Sequence, residues 1–297
     1  VVDNALLHLP FDGPLPYETD FHVDLSGHLG QKPTTATGGI IGRPGKFGKA
    51  VQLAEGTTNY VTNPSFEVDT VDWFGGQGGA GWTISRVTTR AFIGSASLEY
   101  HGGTNWTFLE TSSSTTLANG ATVTVSVWMY RDAANPLPLR LLIRNGTHGW
   151  DLAHVWPTKT GEWERLVTSW TNTTGGDVQV KVKLDTSGDT SGLVAWIDAA
   201  QLEIKSYPTP YCDGSLGPGH AWTGTPHASA STRTATILRY ASAGLSGRRG
   251  TWAFWVATEH TAPGYWFILD ARDGSNADAP LLSFIPGPKI VLYSNQS

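Results

Sequence analysis

Cysteine is almost absent from this chain. Cys212 is the single cysteine among 297 residues, so no disulfide bond can form within the chain. The length is sufficient for two domains that each have their own hydrophobic core. Stability must therefore come from packing, with or without a bound metal ion.

Charge is scarce as well. Charged residues make up 15% of the chain, the formal net charge is −5, and no basic run occurs. This balance argues against a nucleic-acid partner. No apolar run is long enough to cross a bilayer, so we expect no membrane partner. The chain also shows neither a signal peptide nor an initiator methionine, and we expect it to be either processed or an excised fragment.

Glycine, proline and tryptophan are plentiful, with 35, 17 and 13 residues respectively. Glycine and proline separate runs of β-branched and aromatic residues, which is typical of an all-β protein. Alternation of apolar and polar residues predicts the individual strands. The predicted strands are Thr122–Tyr130, Leu139–Arg144, Glu164–Trp170, Asp177–Leu184, Thr251–Val256, Tyr265–Asp270, Leu281–Ile285 and Lys289–Tyr293. The regular spacing of the first four favours a jelly roll in the middle of the chain.

Two short motifs bracket this middle region. Residues 63–67 (Asn-Pro-Ser-Phe-Glu) open it, and residues 196–203 (Trp-Ile-Asp-Ala-Ala-Gln-Leu-Glu) close it. The alternation in each motif predicts a half-buried strand. If the two strands pair, Glu67 and Asp198 converge, and two carboxylates with backbone carbonyls suit a hard cation such as Ca²⁺. The alternative is a pair of surface carboxylates, one of which caps a turn.

Together with Asp72-Trp73 and the step from Gly94 to Leu98, these motifs make residues 59–206 resemble the jelly-roll carbohydrate-binding modules of glycan-degrading enzymes and phage tail proteins. The resemblance implies a two-sheet sandwich that binds sugar, performs no chemistry and often holds a structural calcium. The metal ligands that it implies are Glu67, Asp198, carbonyls near Gly94 and Ser95, and Asp69 as an extra ligand.

The flanking segments resemble a second sandwich. Residues 6–13, 24–27 and 45–53 are similar to the opening strands of laminin-G or concanavalin-like domains, and the pattern that would follow them appears only at residues 250–256. We therefore predict that the jelly roll is inserted into a surface loop of this second sandwich, because loop closure costs little more entropy as a loop lengthens. Three consecutive small domains are the alternative.

The predicted division of the chain has four parts. These are the first part of the concanavalin-like sandwich (residues 1–58), the jelly roll (59–206), an extended linker with little regular structure (207–236), and the second part of the sandwich (237–297). The two outer parts hold too few strands for a complete sandwich. We expect either that the parent protein continues past Ser297 or that another subunit completes the sheet.

Aromatic rings in polar surroundings are the candidate sugar platforms, because the C–H face of a pyranose packs on an indole while neighbouring polar groups bind its hydroxyls. Trp106, Trp150 and Trp156 fit this description. The polar side chains near them in the sequence are Arg144, Asn145, His148, Asp151 and His154. Ordinary solvated loop side chains are the alternative interpretation of these polar residues.

Signatures of catalysis are missing from the sequence. It has no closely spaced acidic trio on one strand, no G-x-S-x-G elbow and no H-E-x-x-H motif. Residues 207–229 are similar to a segment that follows the jelly roll in many phage tail and virion proteins. We therefore predict non-catalytic binding or adhesion to a polysaccharide or cell-surface glycan, in a virion or extracellular setting, by a homo-oligomer or assembly subunit. The alternatives are a purely structural virion component and an accessory region of a larger glycoside hydrolase.

Overall fold

The computed structural model describes part of the chain. The described residues are 35–37, 41–44, 49–52, 54–76, 81–105, 107–132, 139–186, 188, 191–239, 266–270, 281–285 and 289–293. Side chains are described within residues 54–236 of these ranges. Over these ranges all regular structure is β-strand, and no helix is long and apolar enough to span a membrane.

The strands are numbered in chain order. They are β1 (Thr35–Thr37), β2 (Ile41–Pro44), β3 (Lys49–Gln52), β4 (Thr57–Asn59), β5 (Trp73–Gly76), β6 (Thr83–Val87), β7 (Ser97–His101), β8 (Phe108–Thr111), β9 (Thr115–Leu117), β10 (Thr122–Arg131), β11 (Arg140–Asn145), β12 (Asp151–Val155), β13 (Trp163–Thr171), β14 (Val178–Asp185), β15 (Val194–Glu203), β16 (His220–Trp222), β17 (Ser231–Arg233), β18 (Ile237–Arg239), β19 (Trp266–Asp270), β20 (Leu281–Ile285) and β21 (Lys289–Tyr293).

Two antiparallel sheets form the central sandwich. The front sheet has the order β12-β11-β14-β8-β5, with β9 also paired to β14. The back sheet has the order β13-β10-β15-β7-β6. Strands that are distant in sequence are neighbours in both sheets, as in a jelly roll. The all-β jelly-roll prediction is confirmed, and its insertion into a second sandwich stays a prediction.

The core lies between the two sheets and follows from the period-two pattern. Alternate residues of β10, among them Val125 and Val127, face alternate residues of β11 and β14, such as Ile143 and Val182, and all of them are buried. Each such side chain contributes roughly 1.5–3 kcal/mol when it is fully buried. The same alternation turns the remaining side chains of the front sheet to its outer face, where the candidate site lies.

The opening motif does not form a strand, so that prediction is wrong. Residues 63–67 are a bend in which Asn63 and Phe66 have φ of 49° and 57°. The Asn63 amide donates hydrogen bonds to the carbonyls of Asp69 and Val71, which folds the chain back on itself. A strand cannot accommodate this local hydrogen bonding. The closing motif does form a strand, within β15.

The segment predicted to be an extended linker contains two short strands. β16 pairs with β17, and β17 pairs with β4. Arg233 at the end of β17 is buried and donates hydrogen bonds to the carbonyls of Glu55, Pro210 and Tyr211. The Gln201 side-chain carbonyl accepts a hydrogen bond from the Cys212 backbone amide. Residues 207–233 are thus attached to the back sheet through a buried polar network.

In the segments that flank the sandwich, the structure describes the backbone of several short strands. β1 pairs with β18, and the amide of Thr236 donates to the carbonyl of Ala54, so the chain enters and leaves the sandwich on adjacent paths. β2 and β3 form a hairpin, and β19, β20 and β21 form a meander. The last three strands lie where the alternation predicted them. The predicted strand Thr251–Val256 lies outside the described residues.

Candidate functional site

The outer face of the front sheet is lined by polar side chains that alternate with core residues. In β14 the sequence Val-Gln-Val-Lys-Val-Lys-Leu-Asp places the valines and Leu184 in the core and Lys181 and Lys183 on the outer face. β11 does the same with Arg140 and Arg144. Register then brings these side chains together, because Arg144 pairs with Lys181 and Arg140 with Asp185.

Ion pairs connect the side chains of three neighbouring strands, β8, β14 and β11. Glu110 of β8 contacts Arg144 Nε at 3.3 Å and Lys181 Nζ at 3.4 Å. Asp185 contacts Arg140 Nε at 2.7 Å and Lys183 Nζ at 2.6 Å. Charges this close inside a partly buried surface hold each other in place, so the face is preorganised.

Asp151 joins the network from β12, the edge strand. Its carboxylate contacts Arg140 Nη2 at 3.3 Å and Lys183 Nζ at 3.5 Å. A register shift between Ile143 and Arg144 places Asp151 opposite Arg144, on the outer face. Asp151 and His154 therefore share this face with the β11 and β14 side chains.

Two tryptophans bracket β12. Trp156 follows the strand, is partly exposed, and lies 5.4 Å from the Arg140 guanidinium and 6.2 Å from the His154 ring. Trp150 precedes the strand, is 67% exposed, and stacks on His148 with ring centroids 5.1 Å apart. Five residues of extended chain lie between the two, and the six steps from Trp150 to Trp156 span about 20 Å along the strand. The β12 edge thus carries two aromatic platforms, spaced for several sugar rings.

The turn between β11 and β12 displays Trp150. The Asn145 side chain is buried, and its Oδ1 accepts hydrogen bonds from the amides of Thr147 and His148, both at 2.9 Å. Gly149 has φ of 71°, and a Cβ there would lie 3.1 Å from Arg144 Nη2. Asn145 therefore shapes the turn, and glycine at 149 lets it pass close to Arg144.

Two phenylalanines lie on the same outer face, near the edge of the front sheet that is opposite β12. Phe74 of β5 is partly exposed, and its ring centroid lies 6.2 Å from that of Phe108. Phe108 packs over Gly76, where a Cβ would overlap its ring. Lys181 Nζ lies 5.9 Å from the Phe74 ring, and Lys183 Nζ lies 5.3 Å from the Phe108 ring. The basic side chains thus lie between two aromatic borders.

The structure brings together five of the predicted sugar-binding residues. Arg144, Trp150, Asp151, His154 and Trp156 share the front face or its rim. Asn145 ends β11 and hydrogen-bonds into the turn that follows, and Trp106 lies outside the described residues. The residues that the sequence did not single out are Phe74, Phe108, Glu110, Arg140, Lys181, Lys183 and Asp185. For Lys181, Lys183 and Asp185, the alternation of polar and apolar residues in β14 could have predicted a position on the outer face.

The predicted metal ligands meet at the loop formed by residues 92–96. Glu67 Oε1 accepts hydrogen bonds from the amides of Ser95 and Ala96, and its Oε2 accepts one from Ser95 Oγ at 2.6 Å. Asp198 Oδ2 accepts from the amides of Phe92 and Ile93 at 2.8 and 3.0 Å. Glycine at position 94 is required, because a Cβ there would overlap the Glu67 carboxylate. Both carboxylates therefore bind the same loop.

The surroundings of Asp198 disfavour its charged form. Burial, with a smaller contribution from the nearby charge of Glu67, raises its pKa to about 7 against the pull of its amide donors. Phe66 and Ala199, the neighbours of the two carboxylates in sequence, have φ of 57° and 49°. Such left-handed residues cost about 1–3 kcal/mol each and cluster at functional sites.

The described residues contain no group of three or more His, Cys, Asp or Glu side chains arranged to hold a metal ion. A site at Glu67 and Asp198 would therefore depend on additional backbone or hydroxyl oxygens, as Ca²⁺ sites commonly do. Asp69 is engaged elsewhere, since its Oδ1 accepts hydrogen bonds from the Asn63 side chain and the Val71 amide.

The central region matches one known family model. Residues 58–191, just under half of the chain, match the family model of a carbohydrate binding domain. No curated protein matches the chain.

Three solved structures, from different proteins, illustrate the similarity of about half of this chain to known folds. The CBM22-1 xylan-binding domain of Paenibacillus barcinonensis Xyn10C has 16% identity and a TM-score of 0.37, covering 50% of this chain and 98% of that one. TmCBM61 in complex with β-1,4-galactotriose has 17% identity and a TM-score of 0.35, covering 50% and 99%. The enzymatically active domain of tailspike protein 4 of bacteriophage CBA120 has 13% identity and a TM-score of 0.39, covering 50% and 21%. With identities and TM-scores this low, these similarities support no inference about the ligand.

Proposed function

We propose that the jelly roll of this chain is a non-catalytic carbohydrate-binding domain and that it binds glycan on the outer face of its front sheet. The observation that carries the proposal is the combination of exposed Trp150 and Trp156 with a fixed charged network between them and Phe74. This combination lies in the region that matches the model of a carbohydrate binding domain.

The chemistry of the face suits sugar rings. An indole presents a flat apolar surface to the C–H face of a pyranose, and charged side chains around it form hydrogen bonds with the hydroxyls. Arg140 and Arg144 are held by ion pairs before a ligand arrives, so little side-chain entropy is lost on binding. The outcome is recognition with modest affinity at each site, which several copies in an assembly would raise.

The test is binding of the full chain to a panel of polysaccharides. We expect saturable binding to at least one glycan, weakened at least about tenfold by Trp156→Ala and by Trp150→Ala, because an aromatic contact typically contributes a few kcal/mol at the centre of an interface. Trp222→Ala is the matched control, since Trp222 lies on β16, outside the front sheet, with its ring centroid 4.8 Å from that of His227.

Two binding results would contradict a glycan site on the front face. A folded chain that binds no glycan in the panel would favour the purely structural role. Binding that survives both front-face substitutions but is lost in the Trp222 variant would place the site elsewhere.

We further propose that Glu67 and Asp198 hold a structural calcium, with Ser95 as an oxygen donor. The residues fit such an ion, because two carboxylates close enough to repel each other are joined by one loop, and Asp198 Oδ1 and Glu67 Oε2 each accept a single hydrogen bond and so keep a lone pair for the ion. The ion would tie the opening and closing motifs of the jelly roll together and take no part in sugar binding.

Thermal unfolding with calcium and with a chelator tests the calcium site. At a calcium concentration 100 times Kd, the gain is about 2.7 kcal/mol, or roughly 5–11 °C in Tm for a domain of this size. Asp198→Asn should abolish the gain, whereas Glu162→Gln, at an exposed carboxylate, should keep it. Identical melting with calcium and with chelator would count against the ion.

The setting in which the domain works is also a proposal. The similarity of residues 207–229 to segments of phage tail and virion proteins supports a virion or extracellular location, with adhesion to a cell-surface glycan as the role. An accessory region of a larger glycoside hydrolase fits the same binding face. Detection of the chain in purified virions, or of a catalytic domain on the same polypeptide, distinguishes the two settings.

A further inference from the structure

The outer face of the front sheet (the front face) is richer in basic side chains than the rest of the chain. It carries Arg140, Arg144, Lys181 and Lys183 against Glu110, Asp151 and Asp185. The face therefore has a small excess of positive charge in a chain whose net charge is −5. This excess of positive charge is small, so what a ligand meets depends more on how deeply each charged group is buried.

The acids lie deeper than most of the bases. The side chains of Asp185 and Glu110 are only 1% and 6% exposed. Those of Lys181, Arg140 and Arg144 are 16%, 17% and 22% exposed. A ligand on this face would meet guanidinium and ammonium groups, with the carboxylates beneath them. Asp151, at the β12 edge, is the exception.

The face consequently offers many donors and few acceptors. Arginine and lysine only donate, and an arginine has five N–H groups. The contact of Arg144 with Glu110 is made through Nε, so it does not require the Nη groups. The nearby Asn145 carbonyl already accepts two backbone amides in the turn. A neutral sugar, whose hydroxyls also need acceptors, would find mainly Asp151.

From this arrangement, and on the premise that the front face is the glycan site, we propose that the ligand is an anionic glycan. Its carboxylate or sulfate groups would bind to Arg144 and Lys181 between the aromatic borders. Carboxylate and sulfate share the required chemistry, a negative group with several acceptor oxygens, which matches the planar fork of a guanidinium.

The test compares polysaccharides that share a backbone and differ in charge. The pairs are de-esterified and fully methyl-esterified homogalacturonan, glucuronoxylan and neutral xylan, and a sulfated galactan with its desulfated form. Binding of the full chain is measured at low and high salt. We expect the charged member of at least one pair to bind at least about tenfold more tightly, and added salt to reduce the difference. The first two pairs report a carboxylate, and the third reports a sulfate.

Substitutions locate the effect on the front face. Arg144→Gln and Lys181→Gln should each weaken binding of the charged member by about tenfold and weaken binding of the neutral member by less, so that most of the preference for the charged member is lost. Arg144→Lys keeps the charge and should retain the preference. Lys159→Gln, at an exposed lysine paired with Glu162, is the matched control and should change nothing. Melting temperatures of all variants establish that they are folded.

Two results would overturn this inference and leave the proposed function standing. One is equal binding of the charged and neutral members at low salt. The other is a charge preference that persists in both Arg144→Gln and Lys181→Gln, since the anion would then bind elsewhere. A folded chain that binds no member of any pair would overturn the inference, and binding to no polysaccharide of the wider panel would overturn the proposed function as well.

Discussion

Replacing Arg233 should destabilise the whole jelly roll, although the residue lies in the segment that the sequence predicted to be a linker. Arg233 as a residue is only 2% exposed. It donates to the carbonyls of Glu55, Pro210 and Tyr211 and to the hydroxyl of Thr209. Burial lowers the pKa of Arg233, and nearby groups that include the Glu203 and Glu55 carboxylates oppose this effect.

The magnitude follows from what the substitution leaves behind. Arg233→Met keeps the length of the side chain but leaves the carbonyls of Glu55 and Tyr211 without their donor and removes one of the two donors to the carbonyl of Pro210. Each unsatisfied buried group costs about 1–3 kcal/mol, and breaking a buried charged network by removing one partner costs about 3–5 kcal/mol. We therefore expect a loss of about 3–5 kcal/mol of unfolding free energy, or roughly 6–20 °C in Tm.

Urea unfolding followed by tryptophan fluorescence measures this loss. Lys205→Met is the matched control, because Lys205 is part-exposed and pairs with Glu55 at 3.2 Å, an ion pair expected to contribute no more than about 1 kcal/mol. If Arg233→Met costs less than about 1 kcal/mol, residues 207–233 are not an integral part of the domain and the reasoning fails.

Two further predictions concern packing and pH. Gly75→Ala should cost about 1–3 kcal/mol, because the added Cβ would overlap the Trp82 ring in a packed core, and a melting temperature equal to that of the wild type would refute this. Burial, followed by the charge of Arg233, lowers the pKa of His220 to about 4, below the ordinary value of 6.5. The unfolded chain therefore binds the proton more readily, so this contribution to stability is complete above pH 6.5 and is lost as pH falls towards 4. Urea unfolding at pH 7 and pH 5 should show a larger loss for the wild type than for His220→Gln, and equal losses would contradict the assignment.

The strands could be predicted because alternation is a local signal. The predicted strand Thr122–Tyr130 corresponds to β10, and Leu139–Arg144 lies within one residue of β11 at each end. The strand prediction for the opening motif was wrong because apolar and polar residues alternate there as they do in a strand. The bend that forms depends instead on the hydrogen bonds from the Asn63 side chain to the carbonyls of Asp69 and Val71. That choice is made by tertiary contacts and leaves no periodicity in the sequence.

The candidate site could be predicted only in part. Trp150, Asp151, His154 and Trp156 are close in sequence, so one polar aromatic stretch pointed to them. The rest of the face comes from β5, β8, β11 and β14, which are joined by long connections. Strand order and register decide that Glu110 meets Arg144 and Lys181, and neither can be derived from the strands individually.

The most direct test of the front-face site is oxidative footprinting of the chain with and without saturating glycan. The account predicts that Trp150 and Trp156 are protected from oxidation, because both lie on the exposed rim of the front sheet. Trp128 and Trp163, which form an aromatic cluster on the back sheet with Phe92, should react equally in both samples. Protection of Trp128 and Trp163 without protection of Trp150 and Trp156 would contradict the account.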